Sequence, residues 1–245
     1  MTLLTEATDV FSATTAGERC VVLFIAKSQP RLPGAFDAGH LSAIGAVLGE
    51  LEAEGWLLSL RAMVEPAERT EPTAFDTGFA HDADVVGVFE APTISAALLG
   101  TVRLETAGWS RRFATQWLVG PREFAAVNGA GPVIDRKWGF FALWEWNDAW
   151  ATASAETRRD YDAECDVAFQ GDLALNVNIA GRHRLDWASS WHHLGVWESD
   201  RPETVDAAIR GHERAADFKF TTSRHLLGRR RPLTELLAGA PGGIS

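Results

Sequence analysis

The sequence contains an internal repeat, in which residues 84–122 align without a gap on residues 192–230 when the chain is shifted by 108 positions. The alignment holds 8 identities in 39 positions, including the pairs Gly87–Gly195 and Glu90–Glu198. Both copies carry the same order of hydrophobic patterns, which predicts a strand, a helix and a second strand in each copy. The chain is therefore expected to fold as two halves of one design.

The segments upstream of the two copies complete the predicted unit. In the first half, the patterns predict a strand over 20–27, a helix over 41–55 and a strand over 56–64. In the second half, they predict a strand over 138–146, a helix over 154–169 and a strand over 175–179. Each half is thus predicted to be βαββαβ, a ferredoxin-like unit.

The turn-rich segment NGAGP, residues 128–132, predicts the boundary between the halves. We expect a mainly structural N-terminal repeat over 1–130, a pocket-bearing C-terminal repeat over 131–235 and a disordered tail over 236–245. One ferredoxin-like unit leaves one sheet face uncovered, because both of its helices lie on the other face. The predicted class is an α+β fold, in which two fused ferredoxin-like repeats form a dimeric α+β barrel-type domain with helices outside and a pocket inside.

Composition excludes several classes of partner. A net charge of -10 argues against nucleic acid, because phosphate contacts need clustered Lys and Arg. No apolar run reaches the roughly 18 residues that a membrane span needs, and the N-terminus MTLLTEATDVFSA lacks the pattern of a secretory signal. The nucleotide-binding, esterase-elbow and HExxH motifs are absent. We expect a cytoplasmic chain with a small-molecule substrate, and assembly into a homo-oligomer is left open.

Strand alternation predicts which side chains line the pocket. Over 187–197 one face carries Trp191, His193 and Trp197, while the neighbouring strand presents Asn176 and Asn178. These five side chains are predicted to face the barrel interior, between the two sheets.

Two further observations favour a pocket in the second half. The opposite face of this strand carries Leu194 and Val196, which suit packing beneath a helix. Seven of the ten tryptophans lie between Trp138 and Trp197, whereas the first half fills equivalent positions with Val, Leu and Phe. Tryptophans also fill ordinary cores, so a packed core is the alternative interpretation.

Three histidines replace apolar residues of the first repeat. His212 replaces Leu104 on the apolar stripe of a predicted helix, where a buried imidazole must find a hydrogen-bond partner. It is either a core histidine bonded to a backbone carbonyl or a functional group. His193, which replaces Val85, is a candidate ligand or general base, and His225, which replaces Trp117, is the third candidate.

The run LNVNIAGRHRLDWASSWHHLGVWESDRPETVDAAIRGHERAADF, residues 175–218, resembles the C-terminal half of the chlorite dismutase-like haem proteins. Those proteins have a β-hairpin, an aromatic-acidic strand end like VWESD, then a helix and a closing strand. The family's axial histidine precedes the hairpin, but the matching segment DVAFQGDLA contains no histidine. Haem-degrading members of the same superfamily carry their iron-binding histidine late in the helix that holds His212.

The resemblance implies a haem enzyme of oxidative or N–O chemistry. The expected iron ligand is His212, with His193 as the second choice. Trp191 and Trp197 would stack on the macrocycle and Arg224 would pair with its propionates. Arg182 stands where the family has an arginine and would steer an anionic oxidant. The predicted catalytic residues are His193, Arg182, Asn176 and Asn178.

Two alternatives need no haem. The chain also resembles the antibiotic-type monooxygenases and related isomerases, which bind no cofactor. In them, Trp and Asn side chains hold an aromatic substrate that itself reacts with oxygen. A non-catalytic ligand-binding barrel is the other alternative.

Overall fold

The computed structural model describes residues 19–30, 36–66, 70–124, 126–215 and 217–239. The N-terminal segment 1–18, for which the expectation of no secretory signal stays a prediction, lies outside these residues. Two compact units are present. We call residues 122–225 the central unit, and residues 19–121 with 226–239 the terminal unit, after their positions in the chain. The predicted division into repeats at residues 130 and 131 does not coincide with these units and stays a prediction.

The elements up to the second half, in chain order, are β1 (Cys20–Ser28), α1 (Ala38–Ala53), α2 (Leu60–Val64), β2 (Thr73–Asp76), β3 (Val85–Ala91), α3 (Ile94–Leu104), a π-helical turn (Glu105–Trp109), α4 (Ser110–Arg112) and β4 (Phe113–Phe124). The remaining elements are β5 (Trp138–Trp146), α5 (Asp148–Thr152), α6 (Ala155–Ala174), β6 (Asn178–Arg184), β7 (His193–Ser199), α7 (Pro202–Arg214), α8 (Asp217–Phe220), β8 (Thr221–Pro232) and α9 (Leu233–Ala238).

The sheet of each unit is antiparallel where the strand pairs are defined. In the terminal unit the strand order is β4–β1–β3–β2–β8, and Phe24 of β1 lies between Gly87 of β3 and Trp117 of β4. In the central unit the order is β4–β6–β7–β5–β8, and Ala142 of β5 lies opposite Gly195 of β7. Ala142 and Phe24 are therefore equivalent positions of the two units.

The predicted repeat is confirmed by the positions of the elements. Strands β3 and β7 share their bounds after a shift of 108 residues, and so do β4 and β8. Helices α3 and α7 begin at equivalent positions, Ile94 and Pro202. The order strand, helix, strand is therefore the same in both copies, as the sequence predicts.

One predicted strand in the first half is wrong. Residues 56–64 contain only an isolated bridge at Leu57 and the short helix α2, and the strand of this position is β2. The helix starts there because the Ser59 hydroxyl accepts a hydrogen bond from the Ala62 backbone N–H. A short apolar run does not by itself distinguish a buried strand from a buried helix turn.

Three predicted boundaries in the second half also need correction. Helix α6 continues to Ala174, five residues beyond its predicted end. Asn176 adopts a left-handed backbone with φ of 61°, so β6 begins at Asn178 and not at residue 175. The chain is also ordered beyond residue 236, because α9 extends to Ala238 and ends on Gly239. Residues 240–245 of the predicted tail lie outside the described residues.

The core of the terminal unit shows which sheet face lies beneath the helices. Phe24 packs against Phe89, Trp109 and Trp117, with ring centroids 5.0, 5.2 and 5.5 Å away. A Cβ on Gly87 would lie 2.0 Å from Cζ of Phe24, so glycine is required there for the ring to fit. This aromatic core joins buried residues of helices α1 and α3. The face of β3 that carries residues 85, 87 and 89 is therefore the helix-covered face.

No helix among the described residues has both the length and the apolar character to cross a bilayer.

Candidate functional site

The central unit contains a cavity of about 350 Å³, whose walls come mainly from helices α6 and α7 and strands β5 to β8. Seven of its lining residues are aromatic. The aromatic lining residues are Phe124, Trp144, Trp146, Tyr161, Phe169, Trp197 and Phe218. The polar or titratable lining residues are Asp162, Cys165, Asp166, Arg182, His212, Thr221, Ser223 and His225.

The cavity lies on the helix-covered face of the sheet. On β7 its lining residues are Gly195 and Trp197, the equivalents of Gly87 and Phe89 in the terminal unit. Leu194 and Val196 of this strand point to the opposite face. The sequence assigned the two faces the other way round, so the expected position between two sheets is wrong. Both faces of β7 are apolar, and alternation alone therefore does not identify the one that helices cover.

The cavity results from substitutions in the repeated core. Phe24 of the terminal unit is replaced by Ala142, Phe113 by Thr221 and Trp117 by His225. Leu104, which is buried in the first copy, is replaced by His212. These changes remove two phenyl rings and exchange an indole for an imidazole at positions that the terminal unit packs solidly. The central unit therefore keeps the fold of the repeat and gains internal space with polar groups around it.

His212 of α7 lines the cavity and is bonded to a buried carboxylate. Its Nε2 lies 3.0 Å from Oδ2 of Asp172, and the indole N–H of Trp197 donates to the same oxygen over 2.9 Å. His212 is 4% exposed and Asp172 is 1% exposed. Phe169 meets the imidazole edge to face at 4.8 Å. The carboxylate partner differs from the backbone carbonyl expected of a core histidine, and it explains how the apolar stripe accommodates an imidazole.

A second polar cluster lies around Glu123 at the end of β4. The carboxylate accepts a hydrogen bond from Nε of Arg182 at 2.8 Å and lies 3.2 Å from Nδ1 of His193. Burial raises the pKa of Glu123, but the hydrogen bond with His193 and the charge of Arg182 outweigh it and bring the pKa to about 2. The guanidinium also lies over the ring of Phe124 at 4.0 Å.

The structure separates the two members of the predicted site that contact Glu123. Arg182 lines the cavity, as predicted for a group that meets substrate. His193 lies outside the lining and stacks on Trp144 at 5.2 Å. His193 therefore has no direct access to the cavity in which it was predicted to act as a ligand or base. Its ring instead supports Trp144, which forms part of the cavity wall.

The two predicted asparagines are not at the cavity. Asn178 is fully buried, donates to Glu198 over 2.9 Å and accepts from the backbone N–H of Gly129. The side chain of Asn176 accepts from Arg136 over 2.6 Å. Both side chains bind groups of the segment before β5. Asn178 misses the cavity because its neighbour Ile179 lines it, and alternation points Asn178 to the other face. Asn176 lies before β6, in a left-handed turn.

Trp191 and Arg224 are also outside the lining. Trp191 precedes β7 and its backbone N–H donates to the hydroxyl of Ser189 over 2.9 Å. Arg224 lies on β8 between Ser223 and His225, which both line the cavity, so alternation directs it to the other face. Of the predicted site, the structure brings Arg182, Trp197 and His212 together, and His225 joins them.

The contribution of helix α6 was not predicted from the sequence. Tyr161, Asp162, Cys165, Asp166 and Phe169 all line the cavity from this helix. Burial raises the pKa of Asp162, Arg182 opposes this effect and Asp166 adds to it. The five lining residues of α6 recur at intervals of three to four residues, which places them on one helix face. This pattern was present in the sequence but was hidden by the polar character of the helix.

The described residues contain no group of three or more His, Cys, Asp or Glu side chains that could hold a metal ion. Ligation of haem iron requires only one or two axial groups, usually His, Cys, Tyr or Met. The cavity contains three of these types, in His212, His225, Cys165 and Tyr161.

No protein-family model and no curated protein matches the chain. Solved structures do match it over nearly their whole length. An arginine variant of chlorite dismutase from Candidatus Nitrospira defluvii has 16% identity, covers 96% of this chain and 98% of its own, and has a TM-score of 0.69. The imidazole complex of the same enzyme has 14% identity, the same coverage and a TM-score of 0.63.

The chlorite dismutase-family protein TA0507 has 9% identity, covers 91% of this chain and 99% of its own, and has a TM-score of 0.65. At these identities the likeness shows the fold alone. It confirms the predicted α+β class, with the ferredoxin-like architecture found in chlorite dismutases.

Proposed function

We propose that this chain is a haem-binding oxidoreductase related to the chlorite dismutases, with the cofactor in the cavity of the central unit. The observation that carries the proposal is the His212–Asp172 pair on the wall of an aromatic cavity. The fold likeness adds support, because it extends over nearly the whole chain.

The residues present fit a haem group in the chemistry of their donors. His212 would hold the iron, since metal-binding histidines usually donate their second ring N–H to a carboxylate, as His212 can to Asp172. Trp144, Phe169 and Trp197 supply flat apolar surfaces of the kind that a macrocycle requires.

Haem, when bound, supplies one-electron and oxygen chemistry. The contribution of the chain is binding, orientation and charge. Arg182 presents a guanidinium at the cavity wall, and Glu123 and the Phe124 ring hold it there. It would attract an anionic oxidant, or pair with a propionate, by charge-assisted hydrogen bonds. It is the one Lys or Arg in the described lining of the cavity.

The proposal is tested by haem titration of the purified full-length protein. We expect a saturable Soret band at one haem per chain, loss of that band in His212→Leu, and unchanged binding in His192→Leu. His192 is the control, because its ring lies outside the cavity lining and accepts a hydrogen bond from the backbone N–H of Trp146 rather than from a lining side chain. A protein that stays colourless after haem supply in the cell and after titration refutes the proposal.

A cofactor-free enzyme acting on an aromatic small molecule is the second candidate. It is favoured by Asp162 and Asp166, whose carboxylates lie on the cavity wall and would repel the propionates of haem. In this case His212 would act as a general base, oriented by Asp172. A colourless protein that binds and converts aromatic compounds would support this candidate, and binding without conversion would indicate a ligand-binding protein.

A further inference from the structure

We propose that Asp172 is a positioning residue, which holds His212 in one orientation and one tautomer for its work in the cavity. The inference rests on the proposed function only in taking His212 as the working group. It applies equally to an axial ligand and to a general base.

Three separate elements meet at one oxygen of Asp172. The carboxylate is on α6, His212 is on α7 and Trp197 is on β7. Oδ2 of Asp172 lies 3.0 Å from Nε2 of His212 and 2.9 Å from the indole nitrogen of Trp197, both within hydrogen-bond distance. An indole N–H can only donate, and an ionised carboxylate can only accept. The hydrogen of His212 therefore belongs on Nε2. Through its two hydrogen bonds, Asp172 links the imidazole of α7 to the indole of β7.

The placement of Asp172 is unfavourable for a purely structural residue. It lies in the last turn of α6, where the negative end of the helix dipole disfavours a carboxylate. Its second oxygen, Oδ1, is buried without a hydrogen-bond partner among the described residues. A buried acceptor without a partner costs free energy of folding. An asparagine would accept the same two hydrogen bonds without a buried charge, so stability alone does not explain an aspartate at this position.

A carboxylate behind an imidazole changes the chemistry of the other ring nitrogen. It makes that nitrogen more basic and a better electron donor to a metal, and loss of such a partner typically lowers metal affinity about 10- to 100-fold. Trp197 would act one step further back, by holding the carboxylate in line with His212. We therefore expect substitution of Asp172 to change the properties of the His212 ring more than substitution of Trp197 does.

The first experiment uses the haem-free protein, so that it does not depend on cofactor binding. Nitrogen-15 NMR of the histidine rings is compared among the parent, Asp172→Asn, Trp197→Phe and the control Trp187→Phe. Trp187 is 42% exposed and outside the cavity lining. We expect a single Nε2–H tautomer for His212 in the parent and in Trp187→Phe. We expect a lower His212 pKa in Asp172→Asn, whose amide oxygen still accepts from Nε2–H, and mixed tautomers in a further variant, Asp172→Ala, which has no acceptor. A smaller change is expected in Trp197→Phe.

The second experiment uses the haem-loaded protein. In Asp172→Asn we expect haem affinity to fall about 10- to 100-fold and the reduction potential to rise, with urea stability equal to or above that of the parent. If His212 keeps its tautomer in Asp172→Ala and its pKa in Asp172→Asn, the inference is wrong, whether or not haem binds. If the parent binds no haem, the proposed function fails, while the NMR comparison still decides the role of Asp172.

Discussion

His183 of β6 is expected to make the fold sensitive to mild acid. Its side chain is fully buried, opposite Arg122 on the neighbouring strand. Burial, and then the positive charge of Arg122, lower the pKa of His183 from 6.5 to about 3. The folded protein therefore keeps the ring neutral at a pH where the unfolded chain already binds a proton. His183 therefore leaves the free energy of unfolding unchanged well above pH 6.5. It lowers this free energy increasingly as the pH falls from 6.5 to 3, and the decrease levels off below pH 3.

The size of this effect follows from the two pKa values. The full difference corresponds to about 5 kcal/mol, reached below pH 3, and the part between pH 7.5 and pH 5 to about 2 kcal/mol. Replacing His183 with leucine should remove this slope, because leucine does not titrate. At pH 7.5 the variant should unfold at a urea concentration close to that of the parent, since an apolar side chain suits a fully buried position.

The assay is urea unfolding at pH 7.5, 6 and 5, monitored by tryptophan fluorescence. His192→Leu is the matched control, because it removes a neighbouring histidine and leaves His183 in place. We expect the control to keep the parent's loss of stability between pH 7.5 and pH 5. A His183→Leu variant that loses as much stability as the parent over this range would refute the reasoning.

Two further predictions concern packing and charge. Gly87→Ala should destabilise the fold by about 1–3 kcal/mol in urea, because its Cβ would lie 2.0 Å from Phe24. Gly45→Ala, with no atom within 4 Å of the added Cβ, should instead stabilise helix α1 by about 0.5–1 kcal/mol, and equal effects would contradict the packing argument. Glu123→Gln should be less stable than the parent at pH 7 and should remove the loss of stability between pH 4.5 and pH 2, because the pKa of Glu123 falls to about 2 on folding. If acid unfolding below pH 4.5 is the same in both proteins, Glu123 is not its cause.

Sequence patterns predicted the repeat well because the second copy preserves the length of the first. The shift of 108 residues aligns β3 with β7 and β4 with β8 at both ends. The same patterns failed where a choice depended on contacts distant in the chain. Leu194 and Trp197 are both apolar, so only the position of the helices reveals that Trp197 lies beneath them.

The candidate site was predicted only in part for a related physical reason. His212 was visible because it interrupts an apolar stripe, which is a local signal. Asp172 was not visible, because its partners lie 40 and 25 residues away on other elements. Asn176 resembled a strand residue in the sequence, but its left-handed backbone ended that alternation.

The membership of the two units has a consequence for synthesis of the chain. Every described residue of the central unit lies between 122 and 225, so this unit is complete when residue 225 leaves the ribosome. The terminal unit begins at the other end of the chain but needs residues 226–239. Strand β2 pairs with residues 229–232, and Arg112 donates to the backbone oxygens of Leu236 and Leu237. During translation the residues made first therefore reach their native contacts last, and strand β2 has no partner in β8 until then.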